Sequence, residues 1–224
     1  MPLIESLNVG TARAVGANSG MTGIDKLPTD GPLAVSAPDP ARAGGSGLAG
    51  DIVFDTVHHG GPDQALYAYA REDLDWWEVE IGAPLRAGTF GENLTTSGLD
   101  LTGALIGECW RIGDDVRVQV TKPRIPCANF AVWMAEKGWL KTFTRRARPG
   151  AYLRILAPGA VRAGSEVVVE SRPDHGVTIG RVFRALTLEK ELLPGLLEAE
   201  SYLTAAIRLR AEESRPRGAP AARG

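Results

Sequence analysis

Cysteine is scarce in this chain, with two residues, Cys109 and Cys127, in 224. They form no CxxC pair, which argues against a disulfide framework and against a zinc knuckle. Histidine is nearly as rare, with three residues and no HExxH pattern, so a metalloprotease is not expected. No run approaches the ~18–20 apolar residues needed to span a bilayer. Met1 to Gly20 holds no apolar core of signal-peptide length. A soluble, cytoplasmic protein without a membrane partner is therefore the expectation. The formal net charge of −2 gives no reason to expect nucleic acid, which would call for a basic surface. No internal repeat is evident. The length leaves room for one large domain, alone or with a small appendage.

The most informative residue present is Cys127. It closes the segment Thr121-Lys122-Pro123-Arg124-Ile125-Pro126-Cys127, straight after the alternating strand-like run Val116 to Val120. Two prolines at this spacing cannot sit inside a central strand, because each lacks a ladder donor. Pairing is expected to stop there, leaving the cysteine on a stiff loop at the strand's exit, where scaffolds tend to place ligands and nucleophiles. Lys122 and Arg124 beside it would favour the thiolate. The alternative is a small buried hydrophobe, the commoner fate of a lone cysteine. Cys109, inside a short strand candidate, reads as structural.

Along the chain, Ile4 to Val9 reads as an opening strand, and 28–50, rich in Pro, Gly, Ala and Ser, as loop. Ile52-Val53-Phe54 reads as a brief strand. Pro62-Asp63 is expected to open a helix capped by Asp63, with Leu66, Ala70, Leu74, Trp77 and Ile81 as its buried stripe. Further strand candidates are Asn93–Thr96, Ala104–Ile112, Val116–Val120, Ala151–Leu156 and Glu166–Glu170, separated by Gly-rich turns. Cys127 to Leu140 reads as one helix burying Phe130, Trp133 and Met134. These signals describe an α+β chain dominated by a curved sheet or barrel, with a few helices outside it. After Pro173, helical spacing at Ile179, Val182, Phe183 and Leu186 opens a small appendage. Its second helix is expected to be capped by Thr187, and its third to run from Leu203 to Leu209. The Arg/Pro/Gly/Ala tail from Glu213 onward reads as disordered. The division expected is 1–174 (core motifs 45–172), 175–212 and 213–224.

The run His58-His59-Gly60-Gly61-Pro62-Asp63-Gln64-Ala65-Leu66 resembles the HGGPD-x-AL signature of MOSC domains. Phe90-Gly91-Glu92-Asn93-Leu94 resembles that family's FGENL element. Leu105-Ile106-Gly107, the Pro-Arg-Ile-Pro-Cys segment and Arg148-Pro149-Gly150-Ala151-Tyr152 follow in the expected order. The trailing helices resemble the three-helix extension of the YiiM-like subfamily of stand-alone MOSC proteins. One departure is the segment from Pro28 to Gly50, longer and looser than the family's pattern, which would either gate the pocket or loop out.

The resemblance implies a MOSC-type β-barrel whose pocket holds a molybdenum cofactor (molybdopterin), with Cys127 as the metal ligand. A soft thiolate suits a sulfur-ligated metal. Lys122, Arg124 and Arg148, the last in a basic stretch with Lys141, Arg145 and Arg146, are candidates for an anionic pterin and its phosphate. A solvated surface run is the other reading of that stretch. Gly60 and Gly61 would expose backbone amides to an oxyanion or substrate carbonyl, or would simply build a tight turn. His59 and Asp63 are candidate proton carriers, with structural hydrogen bonds in the turn as the alternative. Glu92 and Asn93 would line the pocket or fix its loop. The implied activity is reduction of N-hydroxylated small molecules such as hydroxylaminopurines, amidoximes or hydroxamic acids, a detoxifying oxidoreductase role. Electrons would come from a separate flavin reductase or ferredoxin. The rival readings are a sulfur carrier with a Cys127 persulfide and a non-catalytic cofactor carrier. A homodimer through the tryptophan-bearing helix or the appended helices is the remaining partner expectation.

Overall fold

The computed structural model describes residues 1–14, 20–39, 45–55 and 59–215. Its strands are β1 (Leu3–Gly10), β2 (Arg13–Ala14), β3 (Met21–Thr22), β4 (Lys26–Pro28), β5 (Leu33–Val35), β6 (Leu66–Ala70), β7 (Leu94–Ser97), β8 (Cys109–Ile112), β9 (Val116–Pro123), β10 (Ala151–Ala157), β11 (Gly159–Val161) and β12 (Val167–Ser171). Its α-helices are α1 (Arg71–Ile81), α2 (Ala128–Met134), α3 (Trp139–Arg146), α4 (Ile179–Thr187) and α5 (Ala205–Glu213). Eight strands form one sheet in the order β12-β8-β9-β10-β6-β7-β1-β4, with β11-β5 and β2-β3 as small separate pairs. The two ends of the large sheet approach each other. An antiparallel bridge joins Leu3 to Glu166. Backbone bonds run from Ile4 N to Ser165 O (2.9 Å) and from Val167 N to Pro2 O (2.9 Å). A single bridge, rather than a full ladder, thus brings β1 against the start of β12 and curls the sheet back on itself. This is a mixed, sheet-dominated α+β architecture.

The centre of the fold is β6, all five of whose residues are buried. Leu66, Ala68 and Ala70 belong to the larger, mostly aliphatic core, while Tyr67 and Tyr69 belong to a second, largely aromatic core. Strand alternation sorts them, since successive side chains leave on opposite faces. That second core collects Trp77 from α1, Phe90, Phe130 from α2, and Trp139 and Phe143 from α3. Phe130 lies 5.3 Å from Trp139 and 5.2 Å from Phe143, edge to face. The indole N–H of Trp77 donates to the Tyr69 hydroxyl at 2.9 Å, so a wholly buried polar atom is satisfied.

Several expectations are corrected here. Pro62–Gln64 is one 3-10 turn, and the α-helix begins only at Arg71. The apolar spacing at 66, 70 and 74 fits a helix as well as a strand followed by a helix. Burial of both faces of β6, between antiparallel β10 and parallel β7, decides for the strand. Ile52–Phe54 is not a strand; its backbone forms no ladder, and Ile52 is exposed. The single helix expected over 127–140 is two, because Ala135 (φ 54°) and Gly138 (φ 77°) both take the left-handed conformation. Strand β9 runs on through Pro123, paired with Ala151, so pairing ends at the second residue of the Lys-Pro-Arg step rather than at Val120. In the appendage, Thr178 caps α4, its side chain accepting from Arg181 N. Thr187 instead ends that helix, its hydroxyl donating to Phe183 O at 2.6 Å. The expected second helix is a pair of 3-10 segments, Lys190–Leu192 and Pro194–Tyr202. Val177, Ile179, Leu196 and Ile207 of the appendage belong to the same hydrophobic cluster as Leu66, Ala68 and Ala70 of β6. His58, residues 40–44 and the tail from residue 216 lie outside the described residues. No helix among the described residues is long and apolar enough to cross a membrane.

Candidate functional site

Where β9 leaves the sheet, the chain crosses the aromatic layer and opens a cleft of about 700 Å³, its open mouth included. Cys127 stands on its wall. The residue is the N-cap of α2, in extended conformation, and its thiol makes no capping bond. Its side chain is half-buried and packs against the aromatic core. The two prolines hold residues 124–126 out of regular structure, so the thiol is placed by a stiff connection between β9 and α2.

Arg124 is the electrostatic centre of this wall. It is 4% exposed, and its guanidinium lies 3.7 Å from the Phe130 ring centroid and 5.7 Å from that of Tyr67. Its Nη1 has no hydrogen-bond partner among the described residues. A guanidinium stays charged at any relevant pH, and a buried donor without an acceptor is costly. The cleft thus presents a fixed cation with a donor to spare. Burial pushes the Tyr67 and Tyr152 hydroxyls upward, against the pull of Arg124, so both walls remain protonated near neutrality. The Tyr67 hydroxyl donates to Pro149 O at 2.7 Å.

The opposite side of the cleft is built on a buried ion pair, Lys26 with Asp51. Gly10 N donates to Asp51 Oδ1 (2.8 Å) and Asn93 Nδ2 to Asp51 Oδ2 (2.8 Å). Burial draws Lys26 below its usual value, and Asp51 opposes that shift. Burial also works against the Asp51 carboxylate, but the Lys26 charge and hydrogen bonds from Lys26, Ser46 and Gly10 outweigh it and hold the group low. Met21, Ile52 and Phe54, each more than a third exposed, flank the mouth.

The residues singled out from the sequence separate into those on the cleft and those off it. Cys127, Arg124, Asn93, His59 and Gly60 line it. Gly60 and Gly61 both have positive φ, 77° and 83°, and Gly61 N is spent on Gly45 O at 3.0 Å. The turn therefore requires glycine for its path, and the three-residue 3-10 segment after it offers no helix dipole comparable to an α-helix. Asp63 is off the cleft: its carboxylate accepts both Nε (2.9 Å) and Nη2 (2.5 Å) of Arg154. Glu92 is fully buried and accepts from Gly88 N (2.5 Å), Phe90 N (3.0 Å) and the Thr95 hydroxyl (3.0 Å), so it fixes the loop that carries Phe90. Burial raises its pKa against those bonds. Lys122 lies beside the Tyr152 ring, 5.8 Å from its centroid, and off the cleft lining. Arg148 pairs with Asp100 at 3.3 Å and approaches Asp73 at 3.9 Å, also away from the cleft. Sequence reasoning missed Lys26, Asp51, Tyr67 and Tyr152. Lys26 and Asp51 meet only through tertiary pairing, so no spacing betrays them.

Known proteins resemble this chain in sequence and in shape. Protein YiiM of Escherichia coli (strain K12) is 33% identical over 129 residues, 56% of this chain and 57% of YiiM. A protein named "Reductase" from Gibberella moniliformis is 29% identical over 176 residues, 76% of this chain but 30% of that protein. The chain thus spans less than two thirds of the length of either. The crystal structure of YiiM from Geobacillus stearothermophilus superposes with a TM-score of 0.76 at 27% identity, over 96% of this chain and 99% of that one. The MOSC domain model matches residues 55–168, half of the chain and the whole stretch from the glycine turn through the Cys127 loop to β12. The chain belongs to the MOSC domain family, a family associated with the molybdenum cofactor and with oxidoreductases.

Proposed function

We propose that the protein reduces N-hydroxylated small molecules, of hydroxylaminopurine, amidoxime or hydroxamic acid type, in this cleft. A molybdenum cofactor would be held there by the Cys127 thiolate. The observation that carries the reading is the juxtaposition of a half-buried thiol with a buried guanidinium whose Nη1 lacks an acceptor, on one wall of one cleft. The residues fit the group. A thiolate is the soft donor that such a metal takes, and Arg124 would supply charge and a hydrogen bond to an anionic pterin. When bound, the cofactor supplies the two-electron chemistry; per turnover an N–O bond breaks, two electrons and two protons are consumed, and the deoxygenated product (amine, amidine or amide) and water leave.

The chain's own residues do the rest. Cys127 anchors, and the Phe130 and Tyr67 rings keep Arg124 aimed along the wall. Phe90, Tyr67 and Tyr152 exclude water from one side. His59, on the lining, is the group assigned to carry a proton near neutral pH. Asp63 is not given that role, because its carboxylate is committed to Arg154. The two electrons come from a separate flavin reductase or ferredoxin.

The test is metal content by mass spectrometry on protein made in a host able to synthesise the cofactor. It is paired with reduction of benzamidoxime by dithionite-reduced methyl viologen. The expected result is near-stoichiometric molybdenum and turnover in the wild type, with both lost in Cys127→Ala. Arg124→Met should retain fold but lose most of the cofactor, and Arg124→Lys should rescue it poorly, since the stacked planar fork is not reproduced. Absence of molybdenum from the wild type would sink the reading. Sulfane sulfur on Cys127 would then favour the sulfur carrier, and metal without turnover the cofactor carrier.

A further inference from the structure

The stretch from Cys127 to Arg148 holds five cations and one carboxylate, Glu136, in a chain whose formal net charge is −2. Two of the five are engaged. Arg146 covers the Trp76 ring at 3.9 Å and approaches Asp73 at 3.9 Å, and Arg148 pairs with Asp100. The other three, Lys137, Lys141 and Arg145, are exposed and have no ion-pair partner among the described residues. Lys141 and Arg145 stand four residues apart on α3, a spacing at which like charges repel along one stripe. Lys137 sits just before that helix. Elsewhere exposed arginines are paired, as Arg86 is with Asp25, Arg117 with Glu170 and Arg184 with Glu189. Val132 and Leu140, 50% and 36% exposed, put apolar surface on the same two helices.

We infer that this α2–α3 face docks an acidic electron-donor protein. The inference rests on the reductase reading, in which every turnover draws two electrons from outside. Position favours it: the inner face of α3 buries Trp139 and Phe143 against Phe130, the ring on which Arg124 stacks, and Cys127 packs on the same aromatic core. A protein seated on the outer face of α3 would therefore lie about one helix diameter, ~10–12 Å, from the shell of the cleft. Unpaired cations around apolar side chains suit a carboxylate-rich partner, steering its approach and setting its register. A membrane surface fits less well, because the apolar face of α3 is already occupied by the protein's own core. Nucleic acid fits less well too, since the cationic stripe is short and the chain as a whole is acidic.

The test uses the full chain and two purified probes, a flavodoxin and a plant-type ferredoxin. Binding is measured by calorimetry in 20 mM and 300 mM NaCl, with a 20-base-pair duplex and anionic phospholipid vesicles as competitors. At least one probe is expected to bind and to lose tenfold or more in affinity at the higher salt. The triple variant Lys137→Glu, Lys141→Glu, Arg145→Glu should abolish binding. The control Arg162→Glu, Lys190→Glu, Arg210→Glu should stay within twofold. Turnover driven by the bound probe should fall more than tenfold in the first triple, while methyl viologen turnover stays unchanged. No binding by either probe, equal loss in the control triple, or tighter binding of duplex or vesicles would overturn the docking face. Probe binding with no N-hydroxyl reduction from any donor would sink the reductase reading and with it the donor's role. Viologen turnover with charge-insensitive probe binding would overturn the docking face alone.

Discussion

Replacing Asp51 by alanine is expected to destabilise the protein by about 3–5 kcal/mol, the range for stripping one partner from a buried ion pair. Lys26 and Asp51 are 8% and 1% exposed in their side chains, so water cannot replace the lost carboxylate. Gly10 N and Asn93 Nδ2 lose their acceptor at the same time. For a chain of this size that loss corresponds to a midpoint lower by about 6–20 °C. The pair itself need not stabilise the fold relative to apolar filling, since burying two charges is costly. The double variant Asp51→Leu, Lys26→Met should therefore recover the part due to the uncompensated Lys26 charge but not the part due to the two orphaned donors, which denaturant unfolding of the two variants will show. The sign of the pH dependence follows from the lowered Asp51 value. The carboxylate's contribution is present above its ordinary range and disappears as pH falls through the depressed folded value. The acid limb of the stability curve should be shallower in Asp51→Ala than in the wild type; an unchanged limb would show that Asp51 does not govern it.

The second large effect is expected at Gly150. A β-carbon there would lie 2.5 Å from the Ala68 carbonyl oxygen and within 2.9 Å of both the Tyr67 and Tyr69 rings, at a φ of +67°. The backbone oxygen belongs to β6, the strand that separates the two cores, and the next residue, Ala151, pairs with Ala68 itself. No flexible side chain can yield, so Gly150→Ala must open the β6–β10 ladder or remain strained. A loss above ~3 kcal/mol is expected, with weakened near-ultraviolet dichroism from the tyrosine wall. Gly61 supplies the contrast. Its φ is also positive, but a β-carbon there meets nothing within 4 Å, so Gly61→Ala should cost only the ~1–3 kcal/mol of backbone strain at φ 83° and ψ 179°. Similar losses for the two substitutions would show that contact with β6 is not what makes Gly150 necessary.

These two residues mark where sequence reasoning reaches and where it stops. The Arg-Pro-Gly-Ala-Tyr run was legible as a motif, but only the packed β6 explains why its glycine admits no side chain. The Cys127 loop was legible from local chemistry in its existence but not in its start: Pro123 is still paired with Ala151, and only residues 124–126 leave the ladder. Asn93 was legible as a motif residue with two possible roles, and the structure lets it do both: it lines the cleft and donates to Asp51. Glu92, its neighbour, is fully buried and serves the loop. Both residues precede β7, where no strand period assigns sides, and a motif does not say which of them reaches the cleft.

By itself the sequence determined a sheet-dominated α+β chain, the family, and that Arg124 and Cys127 stand just past the end of one strand. Only the tertiary structure decided that 66–70 is a strand, because helix and strand periods coincide over so short a run and burial on both faces breaks the tie. It also decided which charged residues meet. Lys26 with Asp51, Asp63 with Arg154 and Arg148 with Asp100 are contacts between segments far apart in the chain, and nothing local to any one of them specifies its partner.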